Sequence, residues 1–278
     1  MSDHLSGKSI AVTGAGGGFG RLVAQKAAAR GACITCGDVD EAANAETVEL
    51  VRAAGGTAQA VRADVTSRAD MVAMVAAASD AYGVLDVMIN NAGIMPLAFF
   101  ADHEAAHDAW DRCIDINFKG VLNGMVAAYD AMMAQGRGHI VNLSSIYGNH
   151  PVVGGGVYGA TKSAVVFLSE AMRVEARGKI KVTVIKPTGV PTTGLSATIV
   201  NNEAGMGCVG QNMGEFMDMV ARVNEGTYPP EKLDAENIDY ALLAPEHIAN
   251  AIIHVIDQPW GVAISEMTVR AAGDHFVI

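Results

Sequence analysis

Tyr158 and Lys162 stand four residues apart in Tyr158-Gly159-Ala160-Thr161-Lys162, a spacing that puts both side chains on one face of a helix. A tyrosine hydroxyl titrates near ~10, and making it a base at neutrality takes ~4 kcal/mol of extra stabilisation of the phenolate. A neighbouring ammonium, helped by a second positive charge, can supply that. Such a phenolate takes the proton of an alcohol as hydride departs, or returns it in the reverse direction. The spacing alone arises often by chance, so its company decides. Asn142-Leu143-Ser144-Ser145 and Asn90-Asn91-Ala92-Gly93 each close an apolar run, and Ser145 precedes Tyr158 by 13 residues.

A second constellation lies near the start of the chain. The apolar run Ser9–Thr13 leads straight into Gly14-Ala15-Gly16-Gly17-Gly18-Phe19-Gly20. A glycine turn between strand and helix lets backbone N–H groups approach a pyrophosphate, whereas glycines elsewhere usually mark only turns. The spacing is T-G-x-x-x-G-x-G, with Phe19 where a G-x-G-x-x-G pattern would place its last glycine. The next apolar run ends at Gly37-Asp38. A carboxylate there accepts hydrogen bonds from ribose hydroxyls and repels a 2′-phosphate. No Arg or Lys stands at Gly17 or Val39, so the pattern favours NAD over NADP. The other role open to Asp38 is a helix cap, which Asp40 could also fill.

These groups need a scaffold that gathers them at one edge. Short β-like runs at 9–13, 32–37, 58–62, 85–89, 139–143, 181–185 and 262–269 alternate with helical stretches at 18–30, 41–54, 68–82, 105–135, 158–177 and 245–257. The fourth helical stretch is expected to break near Asn117. Strands apolar on both faces and joined by helices predict a parallel sheet covered on both sides, with ligands beyond its carboxyl edge. Every polar group named above falls at that edge.

Half of the 278 residues are hydrophobic, and the formal net charge is −11. The charge argues against a nucleic-acid partner, and no apolar run is long enough for a membrane span. Four cysteines are too few for a disulfide framework, which fits a cytoplasmic protein. Cys33 and Cys36 form a C-x-x-C, but their strand places them on opposite faces, so they are expected to be buried structural thiols rather than a metal pair.

Together these motifs resemble the short, single-domain branch of the short-chain dehydrogenase/reductase family, over residues 8 to about 269. The resemblance implies a Rossmann-like, doubly wound, seven-stranded parallel sheet in one domain, with NAD as cofactor. It places Gly14, Gly18 and Gly20 at the pyrophosphate, with Phe19 beside them, and Asp64 and Val65 at the adenine. Asn91, Ala92 and Gly93 support sheet and cofactor. Tyr158 is the acid/base and Lys162 lowers its pKa while holding the nicotinamide ribose. Ser145 orients the substrate oxygen, and Asn117 holds a water linking Lys162 to solvent. Pro187, Val190 and Thr192 match the nicotinamide-side contacts, but Thr188 stands where the family usually has Gly.

The segment 188–243 has no strand pattern and is rich in methionine, which reads as a substrate-binding lid or as an insertion with its own small core. Tyr147 and His150 are either substrate contacts or exposed loop residues. Met95, Met213 and Met217 are expected at the substrate. These walls suggest a bulky, hydrophobic secondary alcohol or ketone: aryl-alkyl, alicyclic or steroid-like. A homodimer or homotetramer is expected from the apolar girth of the helices 111–135 and 158–177. A non-catalytic dinucleotide sensor or scaffold on the same fold is the competing reading, and a dehydratase or epimerase a third.

Overall fold

The computed structural model describes residues 3–190 and 193–278. Among them, seven strands form one sheet: β1 (Ser9–Thr13), β2 (Cys33–Asp38), β3 (Thr57–Arg62), β4 (Val87–Asn90), β5 (Gly138–Leu143), β6 (Ile180–Pro187) and β7 (Glu266–Val269). Their order is β3-β2-β1-β4-β5-β6-β7 and every neighbouring pair is parallel. Strands β1, β4, β5 and β6 are buried at every residue, which explains why their sequences run apolar without alternation. The edge strands β3 and β7 alternate between exposed and covered positions.

Helices α1 (Gly18–Ala28), α2 (Glu41–Ala53), α3 (Arg68–Tyr82), α4 (His103–Cys113), α5 (Val121–Gln135), α6 (Gly156–Glu175), α7 (Met213–Asn224) and α8 (Pro245–Ile256) accompany the strands. One core packs α1, α2 and α8 against the sheet, and a second packs α3, α5 and α6 against its other face. Asp40 caps α2 by accepting from the Ala43 N–H, and Ser67 caps α3 through the Asp70 N–H. Asp40 thus takes the capping role and leaves Asp38 for another.

The expected break near Asn117 is not a break. Residues Ile114–Gly120 widen into a π-helical turn that joins α4 to α5, a local widening that often marks a functional site. The C-x-x-C is half right. Cys36 is fully buried and its thiol is pushed up to about 12 by burial, but Cys33 is only partly covered. Among the described residues no cluster could hold a metal ion, and no helix is long and apolar enough to cross a membrane.

Candidate active site

The glycine turn connects β1 to α1. Gly14 has φ +65, and a side chain there or at Gly20 would run into neighbouring atoms: the Ala92 backbone for Gly14, the Gly14 carbonyl for Gly20. Those two glycines close the turn onto the β4 edge. Gly17 and Gly18 differ, since a Cβ at either meets nothing within 4 Å. The N-terminus of α1 has no side-chain cap, so this open face offers backbone N–H groups to an anion. Beneath it, Arg21 donates to the Gly16 carbonyl at 2.6 Å and to Glu46 at 2.6 Å, and Thr47 donates to the Ala15 carbonyl at 2.8 Å. The loop is therefore held from below.

Asp38 sits beside that turn. Its Oδ2 accepts from the Gly16 N–H at 2.8 Å and its Oδ1 from the Asp40 N–H at 3.0 Å, fixing the carboxylate at the end of β2. Asn91 ties β4 to β1, donating from Nδ2 to the Thr13 carbonyl at 2.9 Å and the Gly14 carbonyl at 3.2 Å. Asp64 accepts from both the N–H and the hydroxyl of Thr66, and Val65 is buried against Gly120.

The candidate catalytic side chains meet between β5, α6 and the π turn. Ser145 caps a short 3₁₀ turn (Ile146–Gly148) through the Tyr147 N–H. That turn is bolted to α6: Ser144 Oγ donates to the Lys162 carbonyl at 2.8 Å and Ser163 Oγ to the Gly148 carbonyl at 2.7 Å. Tyr158 and Lys162 fall on the buried face of α6, with Lys162 Nζ 5.7 Å from the Tyr158 ring centroid and 2.8 Å from the Leu143 carbonyl. Burial drops the Lys162 ammonium to about 8, still mostly charged at neutrality. Burial raises Tyr158 above its ordinary value, while a hydrogen bond with Ser145 works the other way. The chain's own groups thus keep Tyr158 protonated, and Lys162 by itself does not make it a phenolate.

Asn117 is fully buried. Its Oδ1 accepts from the Ile94 N–H at 2.9 Å and its Nδ2 donates to the Ile94 carbonyl at 2.8 Å. The side-chain amide pins the segment after Gly93 beside Lys162. A Cβ at Gly93 would stand 3.2 Å from Asn117 Oδ1 and 3.5 Å from Lys162 Nζ.

Above these groups opens a cavity of about 460 Å³. Phe19, Asn91, Gly93, Pro187 and Val190 line its cofactor side, with Ser145, Tyr158 and Lys162 at its reacting side. Met95 and Tyr147 line it, and Tyr147 presents its ring, 5.5 Å edge-on from Tyr158. Three expectations are corrected. His150 is exposed and stays outside the cavity. Met217 is half exposed, and neither it nor Met213 lines the cavity. The helical phase of α7 turns Phe216, Met219 and Val220 inward instead, the i, i+3, i+4 stripe that could have been read from the sequence. Met206, one of the segment's methionines, also lines it, and His275 and Phe276 were missed. Thr188, in place of the usual Gly, is buried at the end of β6 with its N–H on the Val269 carbonyl at 3.1 Å. Thr192 lies outside the described residues.

The segment 188–243 is not loosely attached. Val200 and Asn201 donate to the Leu97 carbonyl at 3.2 and 3.0 Å, and the Met95 N–H reaches Thr198 Oγ1 at 2.8 Å.

Over residues 8–204 the sequence matches the short chain dehydrogenase family. The chain belongs to that family. An uncharacterised oxidoreductase of Listeria monocytogenes is 33% identical over 95% of this chain and 96% of its own. The 2,5-dichloro-2,5-cyclohexadiene-1,4-diol dehydrogenase LinX of Sphingobium indicum is 36% identical over 69% of this chain and 76% of its own. Among solved structures, a short chain dehydrogenase/reductase from Burkholderia phymatum in complex with NAD superimposes with a TM-score of 0.74 at 28% identity, over 96% of this chain and 90% of that one. An oxidoreductase working with a nicotinamide dinucleotide follows from this membership, and the seven-stranded doubly wound sheet agrees with it.

Proposed function

We propose that this short chain dehydrogenase is an NAD-dependent enzyme that interconverts a bulky, hydrophobic secondary alcohol and its ketone. The observation that carries this reading is the joining of Ser145, Tyr158 and Lys162 to one largely apolar cavity that also reaches the glycine turn. The dinucleotide fits the residues present: Gly17 and Gly18 leave room at the uncapped start of α1 for its pyrophosphate, and Asp38 is placed to take the adenosine ribose. Asp64 and Val65 would meet the adenine of a bound dinucleotide, and Asn91 to Gly93, Pro187 and Val190 its nicotinamide end.

When bound, the oxidised dinucleotide would supply a hydride acceptor and a positive charge. Ser145 holds the substrate oxygen against the Tyr158 hydroxyl. As a phenolate, which the Lys162 ammonium and the positive charge of a bound oxidised dinucleotide would together stabilise, Tyr158 takes the alcohol proton and becomes the neutral phenol. Asn117 acts by fixing the 91–95 segment against Lys162. Tyr147 and Met95, with Met206, Phe216 and Met219, exclude water and favour apolar substituents. The segment 188–243 is the substrate cover. The diol named for the LinX relative is alicyclic, which supports a compact ring-bearing alcohol. Exposed Phe100, Ile114, Phe167 and Val174 support a homodimer or homotetramer built on α4 to α6, and four free cysteines suit a reducing cytoplasm.

The test is to supply NAD⁺ or NADP⁺ with a panel of aryl-alkyl and alicyclic secondary alcohols, following reduced dinucleotide and identifying the ketone. Oxidation with a clear NAD⁺ preference, narrowed in Asp38→Ala, is the expected outcome. Tighter binding of NADP⁺ by the unaltered protein would overturn the cofactor assignment.

A further inference from the structure

After β7 the chain does not leave the molecule. Residues 270–278 fold back over the cavity, and His275 and Phe276 line it together with Phe216 from α7. The Phe276 ring lies on Gly189, so closely that a Cβ there would overlap it. His275 stacks edge-on with Phe216, with ring centroids 6.0 Å apart. One wall of the cavity is thus a set of three rings, contributed by the last residues of the chain and by the cover segment.

A latch holds this tail. The Arg270 guanidinium donates to both oxygens of Asp274, at 3.1 and 2.5 Å, to the Phe276 carbonyl at 2.8 Å and to the Ile278 carbonyl at 3.2 Å. Asp274 Oδ1 also accepts from the Phe276 N–H at 3.2 Å, and the Asp274 side chain is only 4% exposed. A planar fork with several donors suits this arrangement, and an ammonium would not reproduce it. The tail is then sewn to the cover: the Val277 N–H donates to the Cys208 carbonyl at 2.9 Å, and Asn212 Nδ2 to the His275 carbonyl at 3.0 Å. Cys208 and Tyr147 line the same cavity, and the Tyr147 ring packs edge-on against Tyr158.

We propose that the Arg270-latched C-terminal tail is the specificity wall of the substrate site, with Phe276 and His275 selecting an alcohol or ketone whose larger substituent is a ring. The inference rests on the reading of the cavity as a ketone and alcohol site. Aromatic rings pack edge-on or offset against such a set and gain beyond their area, whereas a flexible chain of equal volume loses rotational freedom on entering.

The experiment uses the whole protein and two readouts. Kd values of acetophenone, an open-chain methyl ketone of similar volume, and acetonaphthone are measured on the enzyme–NADH complex by the change in NADH fluorescence, and turnover of each is followed separately. The unaltered protein is expected to prefer acetophenone to the open-chain ketone by about tenfold, a discrimination within the reach of apolar contacts. Phe276→Ala should abolish that preference and improve acetonaphthone binding, while NADH affinity stays within about twofold on the same scale. Phe276→Tyr should restore the preference. Arg270→Gln should follow Phe276→Ala, and Arg270→Lys should not rescue it. An unchanged ketone ranking in Phe276→Ala would overturn the proposal even with turnover intact. Selective binding that Phe276→Ala abolishes, without turnover by the unaltered protein, would support the wall and sink the catalytic reading. Absence of any ketone binding would sink both.

Discussion

The two sides of the cavity are built on different principles. The cofactor side stands on strands buried at every residue, with glycines at the turn and polar groups fixed at strand ends: Asp38 on Gly16, Asn91 on Gly14, Lys162 on the Leu143 carbonyl. The substrate side is built from short 3₁₀ turns, one amphipathic helix and a folded-back tail, joined by backbone hydrogen bonds between distant segments. A rigid edge suits a dinucleotide that is the same in every turnover. A wall made of side chains on irregular backbone can be recut for a new substrate without disturbing the sheet.

The contrast is tested most strongly by Lys162→Met. Lys162 belongs to the rigid side and touches the reacting tyrosine, so kcat is expected to fall by about 10²- to 10⁴-fold, the usual worth of acid–base assistance. The fold should survive, because the Ser144 hydroxyl bonds to the Lys162 backbone carbonyl, which the substitution keeps, and Ser163 and Ser169 also tie α6 to Gly148 and Asn142. A loss confined to KM would place Lys162 in binding alone.

A smaller effect separates the two faces of α7. Phe216→Ala should raise KM for ring-bearing substrates by about tenfold, the scale of an apolar-pocket contact, with kcat and NAD⁺ affinity nearly unchanged. Met217→Ala removes a half-exposed side chain and should change neither. Equal effects from both substitutions would mean that the helix turns when substrate binds.

Gentlest is the test of the sheet itself. His139 in β5 is buried, with Nε2 at 2.8 Å from Thr183 Oγ1 and Nδ1 without a partner. Burial, with Lys181 and Lys8 adding to it, pushes its imidazole from 6.5 down to about 3. The folded chain then binds fewer protons than the unfolded one between those values, so this contribution to stability is whole above about pH 6.5 and is lost as pH falls toward 3. Chemical denaturation across that range should show stability declining with acid, and His139→Gln should flatten the decline.

The same contrast governs what could be read from the sequence. Strand β1 and helix α3 are found with their expected bounds, and β2, β5 and α2 within a residue or so, because strands covered on both faces must be apolar throughout and helices must carry a stripe. The meeting of Tyr158, Lys162 and Ser145 near the glycine turn was legible for the same reason: the edge of a parallel sheet gathers whatever ends its strands. The substrate wall was not. Backbone-to-backbone bonds such as Val200 to Leu97 carry no residue signature, so methionine content stood in for geometry and pointed to Met213 and Met217. Asn117 shows a subtler miss, since a π turn leaves no mark that distinguishes it from a helix break. Phe276 stands with Val277 and Ile278 in a short apolar run after the last strand, which was a signal of a kind: an aromatic residue there must find cover.

The central claim is that Tyr158 moves the proton while NAD⁺ takes the hydride from a hydrophobic secondary alcohol. Its most direct test compares the unaltered protein with Tyr158→Phe, which keeps the ring packed against Tyr147 and removes only the hydroxyl. NAD⁺ affinity should be equal in the two. Ketone and NADH should form in equal amounts with the unaltered protein, and at a rate lower by about 10²-fold or more in the variant. Undiminished turnover in Tyr158→Phe, or no ketone from any secondary alcohol in the panel, would contradict it.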